Sequence, residues 1–128
     1  MRVLLDTHTF LWWVLEDQRL SQPARDTIVD PDVDVLVSPV SAWEIAIKAA
    51  HGRLDLPEPA RTYVPSRMAA CHFHELPVTV NHCLRTADLP VMHRDPFDRL
   101  LVAQALAEGI PLVTDDAAIT RYDVETIW

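Results

Sequence analysis

The chain begins with an apolar run that stops at a carboxylate, Val3-Leu4-Leu5-Asp6, followed by Thr7-His8-Thr9-Phe10-Leu11-Trp12-Trp13. Three consecutive branched side chains suit a strand whose two faces are both covered by other elements. Asp6 closes the run, and Thr7 or Thr9 is placed to cap a helix starting at Phe10. A strand feeding directly into a helix is half of a βαβ unit. In open α/β sheets, ligands bind beyond the carboxyl ends of the strands, so Asp6 falls where such a sheet carries its chemistry. The rest of the chain decides whether other acids join it.

Downstream, strand and helix patterns alternate. The first helix is predicted over 10–16. Ser21 caps a second, with Ala24, Ile28 and Val29 on its buried side, and 33–37 is a buried strand. A helix runs from Pro39 to Ala50 and stops before Gly52. The segment 57–71 is helical despite Pro59 and Pro65, 76–78 is a short strand, and 79–87 a short helix. A loop over 89–96 leads into a helix over 97–108 that is apolar nearly all round and closes at Gly109. A strand at 111–114, a helical turn and a last strand at 124–127 finish the chain. Helix-length crossovers between strands predict one domain over 1–128: an α/β, three-layer sandwich with a mainly parallel central sheet.

Composition narrows the function. With 49% apolar residues in 128, the chain can bury a core. The run Phe10–Leu15 is too short to span a bilayer, and Asp6 breaks the only N-terminal apolar segment, so a soluble, cytoplasmic protein with no membrane association is expected. Only Gly52 and Gly109 are present, which excludes a Walker phosphate loop and a GxGxxG fingerprint. Cys71 and Cys83 are too few for a disulfide scaffold. The net charge of −8 means that a polyanionic substrate must be held through a cation and a few local basic residues.

Three further acids lie just past a strand or at the amino end of a helix. Glu44 is one turn into the helix after the second strand; Trp43, Ala46, Ile47 and Ala50 share a face predicted to be buried, which leaves Glu44 and Lys48 together on another. Asp98 is in the first turn of the buried helix, and Asp116 follows a strand. Each has a local explanation as well: a Ser41-x-x-Glu44 capping box, a Glu44–Lys48 pair, Asp95 as N-cap with Asp98 at N3, and Asp115 or Asp116 as a cap. At one sheet edge, however, two such charges 4 Å apart repel by about 4 kcal/mol at an effective dielectric of 20. Raised pKa values or a bound cation must relieve the strain. All-oxygen ligation favours Mg²⁺ or Mn²⁺ over zinc.

Over essentially its whole length the chain resembles the PIN-domain ribonucleases, most closely the VapC-type toxins of toxin–antitoxin pairs. The carriers are Leu5-Asp6-Thr7-His8, Val37-Ser38-Pro39-Val40-Ser41-Ala42-Trp43-Glu44-Ile45-Ala46-Ile47-Lys48, His93-Arg94-Asp95-Pro96-Phe97-Asp98-Arg99 with the helix that follows, and Leu112-Val113-Thr114-Asp115-Asp116. The resemblance implies a Mg²⁺-dependent endoribonuclease that is inhibited by a cognate antitoxin and forms homodimers. It implies Asp6, Glu44, Asp98 and Asp116 as catalytic and metal-binding acids. Asp115 adjoins Asp116, and Asp116 is preferred because the family places this acid two residues after a threonine matching Thr114. Arg99 and Lys48 are candidate phosphate ligands, or partners of neighbouring acids.

Two other readings draw on parts of the same sequence. One is a catalytically inert or metal-binding interaction module, with zinc on Cys71-His72-Phe73-His74 and His82-Cys83, whose spacing matches no usual finger. The other is a haloacid-dehalogenase-type phosphohydrolase, which needs an Asp where His8 stands. Trp12, Trp13 and Trp43 are expected in the core. The stripe Ala60, Tyr63, Val64, Met68 and the 20–29 helix are expected to serve a dimer or an antitoxin.

Overall fold

The strand that opens the chain, β1 (Arg2–Leu5), lies in the middle of the sheet in a computed structural model that describes all 128 residues. On one side it pairs with β2 (Asp34–Val37), which pairs in turn with β3 (His74–Glu75). On the other it pairs with β4 (Leu112–Val113), which carries β5 (Thr126–Ile127). The order is β3-β2-β1-β4-β5, and all four pairings are parallel. Each strand is therefore followed by a connection that returns across the sheet, and all strand ends point their chemistry to one edge.

Val3, Leu4 and Leu5 are wholly buried because the pleat sends them alternately into two cores. Val3 and Leu5 meet Phe10 of α1 (Thr7–Val14), Ala24 and Ile28 of α2 (Gln22–Val29), Ile45 of α3 (Pro39–Ala50) and Val64 of α4 (Ala60–Ala70). Leu4 joins Leu36 and Leu112 against the opposite layer. That layer is dominated by Leu101, Val102 and Ala105 of α6 (Pro96–Glu108), with Ile119 of α7 (Ala117–Thr120). Between β3 and α6 lie α5 (Val80–Arg85) and a 3-10 turn over Thr86–Asp88. The three layers match the expectation, and the sheet is wholly parallel. No helix is long and apolar enough to cross a membrane.

Several boundaries differ for definite reasons. α1 starts at Thr7 with Asp6 as N-cap residue, because the two threonines point elsewhere: Thr7 Oγ1 donates to Ser41 Oγ at 2.9 Å and Thr9 Oγ1 to the Val113 carbonyl at 2.7 Å. The strand expected at 76–78 lies at His74–Glu75. The Leu76 N–H makes a last rung to the Val37 carbonyl at 3.0 Å, and Pro77 has no N–H with which to continue. Ser38, not Ser41, caps α3, its Oγ accepting from the Val40 N–H at 3.0 Å, so no Ser41–Glu44 capping box exists.

α3 also turns in a different stripe from the expected one. Val40, Ser41, Glu44 and Ile45 face inward, while Trp43, Ala46 and Ala50 are exposed. Apolar residues ring most of this helix, so periodicity leaves two inward faces nearly equivalent, and the polar contact from Thr7 to Ser41 selects one. Val29 is exposed too, whereas Trp12 and Trp13 pack partly buried against the core. Tyr63 and Val64 are buried, and Ala60 and Met68 border an open apolar groove of about 500 Å³ between α3 and α4.

Gly109 ends α6 at φ 65°, in the left-handed region, and an added Cβ there meets no atom within 4 Å. Gly109→Ala should therefore lower the unfolding free energy by the conformational penalty alone, about 1–2 kcal/mol, with an unchanged denaturant slope. Urea denaturation measures this, and an unaltered midpoint would contradict it.

Candidate active site

Three carboxylates are buried at the carboxyl edge of the sheet: Asp6 at 2% exposure, Glu44 at 5% and Asp98 at 8%. Asp6 follows β1 directly. Its Oδ2 accepts a hydrogen bond from Thr114 Oγ1 at 2.7 Å, and that hydroxyl oxygen accepts from the Asp116 N–H at 3.0 Å. Thr114, buried just past β4, thus ties the first and fourth acids to one atom. Asp116 is half-buried and caps α7, Oδ1 accepting from the Ala118 N–H at 2.9 Å. Asp115 is exposed beside it, and the charge felt by Asp6 and Asp98 is that of Asp116.

Asp98 enters from the first turn of α6. Asp95 caps that helix with Oδ1, which accepts from the Phe97 and Asp98 N–H groups at 2.9 and 3.4 Å, and Pro96 fixes the first helical φ. His93 Nε2 lies 2.8 Å from Asp98 Oδ2 in a hydrogen bond. Donor atoms of His93, Asp95 and Asp98 lie within 4.8 Å of one another, the only such group of three in the molecule. His93 escaped the sequence reading. The available signal was its position five residues before Asp98, in a loop whose direction Asp95-Pro96 fixes.

Glu44 comes from α3. Its Oε2 accepts from Lys48 Nζ at 2.7 Å, the expected pair one turn on, and its Oε1 is buried with no hydrogen-bond partner. The structure treats Arg99 differently from both sequence readings. Its guanidinium donates to the carbonyls of Thr86 and Pro90, each at 2.9 Å, and to Tyr122 Oη at 3.1 Å. Those donors staple the loop before α6 to the body of the protein, so Arg99 pairs with no acid. Cys71, His72, His74, His82 and Cys83 do not gather into any group of three donors. His82 is occupied structurally: Nδ1 accepts from the Thr79 N–H at 3.0 Å and Nε2 donates to Glu108 Oε2 at 3.1 Å.

Burial dominates the electrostatics. It pushes the Asp98 carboxyl up to about 7; the charges of Asp95, Asp6 and Asp116 add to the rise, and the His93 hydrogen bond opposes it. Burial likewise raises Asp6, with Asp116 adding, while Thr114 and His8 pull it down. Asp6 and Asp116 therefore act on Asp98, and Asp116 on Asp6, whereas Glu44 is not among the charges that move them and is paired with Lys48. An oxygen-rich set with a buried, unpartnered carboxylate oxygen at Glu44 fits a hard divalent cation.

A family model for the PIN domain matches residues 3–125. The chain belongs to the PIN-domain family. This PIN domain is 35% identical over 121 residues to Ribonuclease VapC22 of Mycobacterium tuberculosis, an alignment covering 94% of this chain and 91% of the relative. It is 43% identical to Ribonuclease VapC16 of the same organism over 58 residues, 45% of this chain and 40% of that one. Its fold is similar to a solved structure of VapBC2 from Rickettsia felis bound to a DNA fragment from their promoter. The TM-score there is 0.70 at 11% identity, with 98% of this chain and 97% of that chain covered. FitAcB from Neisseria gonorrhoeae matches with a TM-score of 0.56 at 16% identity, covering 97% and 95%. At those identities the likeness speaks for the fold.

The shifted carboxyls make the metal-free PIN domain pH-sensitive in a set direction. Asp98 titrates near 7 when folded and near 3.9 when unfolded, so between those values the folded state binds more protons and stability falls as pH rises. Asp6 contributes in the same direction. Asp17 and Glu108, held low by Arg19 and His82, work in the opposite direction, but their ordinary values already lie below pH 5. In chelator, the melting temperature should drop between pH 5 and 8, and Mg²⁺ should flatten the decline. A metal-free melting temperature that rises over this range would contradict the assignment.

Proposed function

We propose that this PIN domain is an endoribonuclease that uses Mg²⁺ or Mn²⁺ to cut RNA phosphodiester bonds, and that it is the toxin of a cytoplasmic toxin–antitoxin pair, working as a homodimer. The observation that carries this reading is the pair of buried acids Asp6 and Asp98, whose carboxyls are raised by burial and by neighbouring acids, together with a third buried carboxylate, Glu44, whose Oε1 has no partner. A buried acid without compensation is costly, and a cation supplies the compensation. The curated relatives are named ribonucleases, and the family resemblance supports the same activity here. The solved relatives include toxin–antitoxin complexes, which supports an antitoxin partner. The apolar groove between α3 and α4 offers an amphipathic helix of that partner a seat.

In this reading Asp6 and Asp98 hold the cation, and Glu44 and Asp116 complete its shell directly or through water. When bound, the cation lowers the pKa of a coordinated water and offsets charge on the phosphate. The chain does the positioning. Thr114 fixes Asp6 by its 2.7 Å hydrogen bond, and His93 fixes one oxygen of Asp98. Lys48 anchors Glu44 Oε2, which leaves Oε1 to orient the attacking water and take its proton. Water forms the new P–O bond as the bond to the leaving oxygen breaks, and that oxygen takes a proton from solvent. Lys48, a third exposed, reaches the neighbouring phosphate.

Asp6→Asn and Asp98→Asn separate this chemistry from helix capping. Each removes one charge from a self-repelling cluster and preserves shape, so stability in chelator should hold or rise while Mg²⁺-induced stabilisation and cleavage of total RNA both collapse. Asn caps a helix well, so a purely structural role leaves cleavage intact. Full activity in both variants would overturn the nuclease reading. Normal Mg²⁺ binding without cleavage in the wild-type protein would favour the inert interaction module.

A further inference from the structure

Trp43 precedes Glu44, and Phe97 precedes Asp98; the two rings meet edge to face, with centroids 5.1 Å apart at 82°. The pair therefore stands on the rim of the acid cluster, one ring from each of the helices that deliver an acid. Phe97 is half-buried, yet Trp43 remains 61% exposed. Phe97 also lines a groove of about 330 Å³ with Glu44, Ile47, Lys48, Arg53 and Asp95. Ile47 lies one turn beyond Trp43 on the same face of α3. The Arg53 side chain is exposed and makes no hydrogen bond or ion pair, its backbone N–H donating to the Lys48 carbonyl at 2.9 Å, and Lys48 is its neighbour in the groove. Basic residues are scarce in this acidic chain, only 11 in all. Two of them thus line a groove shared with Glu44 and Asp95, and the exposed indole packs against Phe97, which forms part of its wall.

We propose that Trp43, braced by Phe97, is a stacking platform for the base of the unpaired nucleotide next to the scissile phosphate, with Lys48 and Arg53 on that nucleotide's phosphate. The proposal rests on the nuclease reading and narrows its substrate to RNA whose bases are free to splay out. An aromatic face beside a pair of cations is the combination that holds single strands, and it tolerates any base because every base has a π-face. A duplex keeps its bases stacked and presents no face to the indole. Edge-on packing against Phe97 sets the indole's orientation before RNA arrives, which reduces the ordering cost of binding.

The test uses the full chain, with Ca²⁺ in place of Mg²⁺ to hold the RNA uncut, and a pool of random-sequence, unpaired RNA oligonucleotides carrying a central 2-aminopurine. The wild-type protein should quench the probe, and Trp43→Ala should weaken binding by about 10-fold and abolish the quench. Trp43→Phe should restore much of both. Melting temperatures should agree across the three proteins, since Trp43 is mostly exposed. In Mg²⁺ with total RNA, Trp43→Ala should raise KM and leave kcat within about two-fold. Unchanged affinity, quench and KM in Trp43→Ala would overturn the platform while leaving the nuclease intact. Quenching by a wild-type protein that leaves total RNA uncut in Mg²⁺ would fail the nuclease reading and with it the placement beside a scissile phosphate, upholding only the indole as a base-stacking surface. Loss of a co-expressed protein partner by Trp43→Ala, with RNA affinity unchanged, would assign the pair to a protein contact and overturn the proposal.

Discussion

Burial of carboxylates at the carboxyl edge of a parallel sheet, sharpened by repulsion between them, is the constraint around which this molecule is built. Asp6 is placed there by β1, the central strand, and everything that buries β1 also removes Asp6 from water. Asp98 arrives on α6, the helix that covers one face of that strand, and its carboxyl is driven up to about 7 by burial and by its acidic neighbours. The same packing that stabilises the fold therefore creates the electrostatic strain. Polar tethers then hold the strained groups in place: Thr114 on Asp6, His93 on Asp98 and Lys48 on Glu44.

The division of labour along α6 shows how closely structure and site are interleaved. Asp95, Pro96 and Gly109 define its ends, and Leu101, Val102 and Ala105 define its buried side. Arg99, from the same first turn as Asp98, faces the preceding loop and ties it down through carbonyls of Thr86 and Pro90. That loop also carries His93, so the Arg99 staple steadies the hydrogen bond His93 gives Asp98. An arginine next to Asp98 need not touch that acid to matter to it. Its effect here passes through the loop.

Much of this was legible in the residues because the signals were local and agreed with one another. The apolar run ending at Asp6, the Ser21 cap, the Asp95-Pro96 entry and the Gly109 exit each name one conformation, and helix-length crossovers leave a parallel sheet as the simple solution. What was not legible depended on tertiary choice. Trp43 and Glu44 lie on an almost wholly apolar helix, and only the Thr7–Ser41 contact, 34 residues apart, reveals which stripe faces in. Arg99 is ambiguous for a related reason, having a long reach and several partners within it, and His93 finds Asp98 only once the loop before α6 is folded back. β3 was misplaced because Pro77, which ends the ladder, sits inside the apolar stretch that suggested a strand.

The cation site proposed for the acid cluster is proton-linked, and calorimetric titration of Mn²⁺ in buffers of differing ionisation heat tests it directly. Because Asp98 titrates near 7 in the folded protein, binding at pH 6 should release about one proton per ion. At pH 8.5 the release should fall almost to zero. Asp98→Asn should remove both the binding and the proton release. Saturable Mn²⁺ binding with no proton release at pH 6, or binding that survives Asp98→Asn unchanged, would contradict the account.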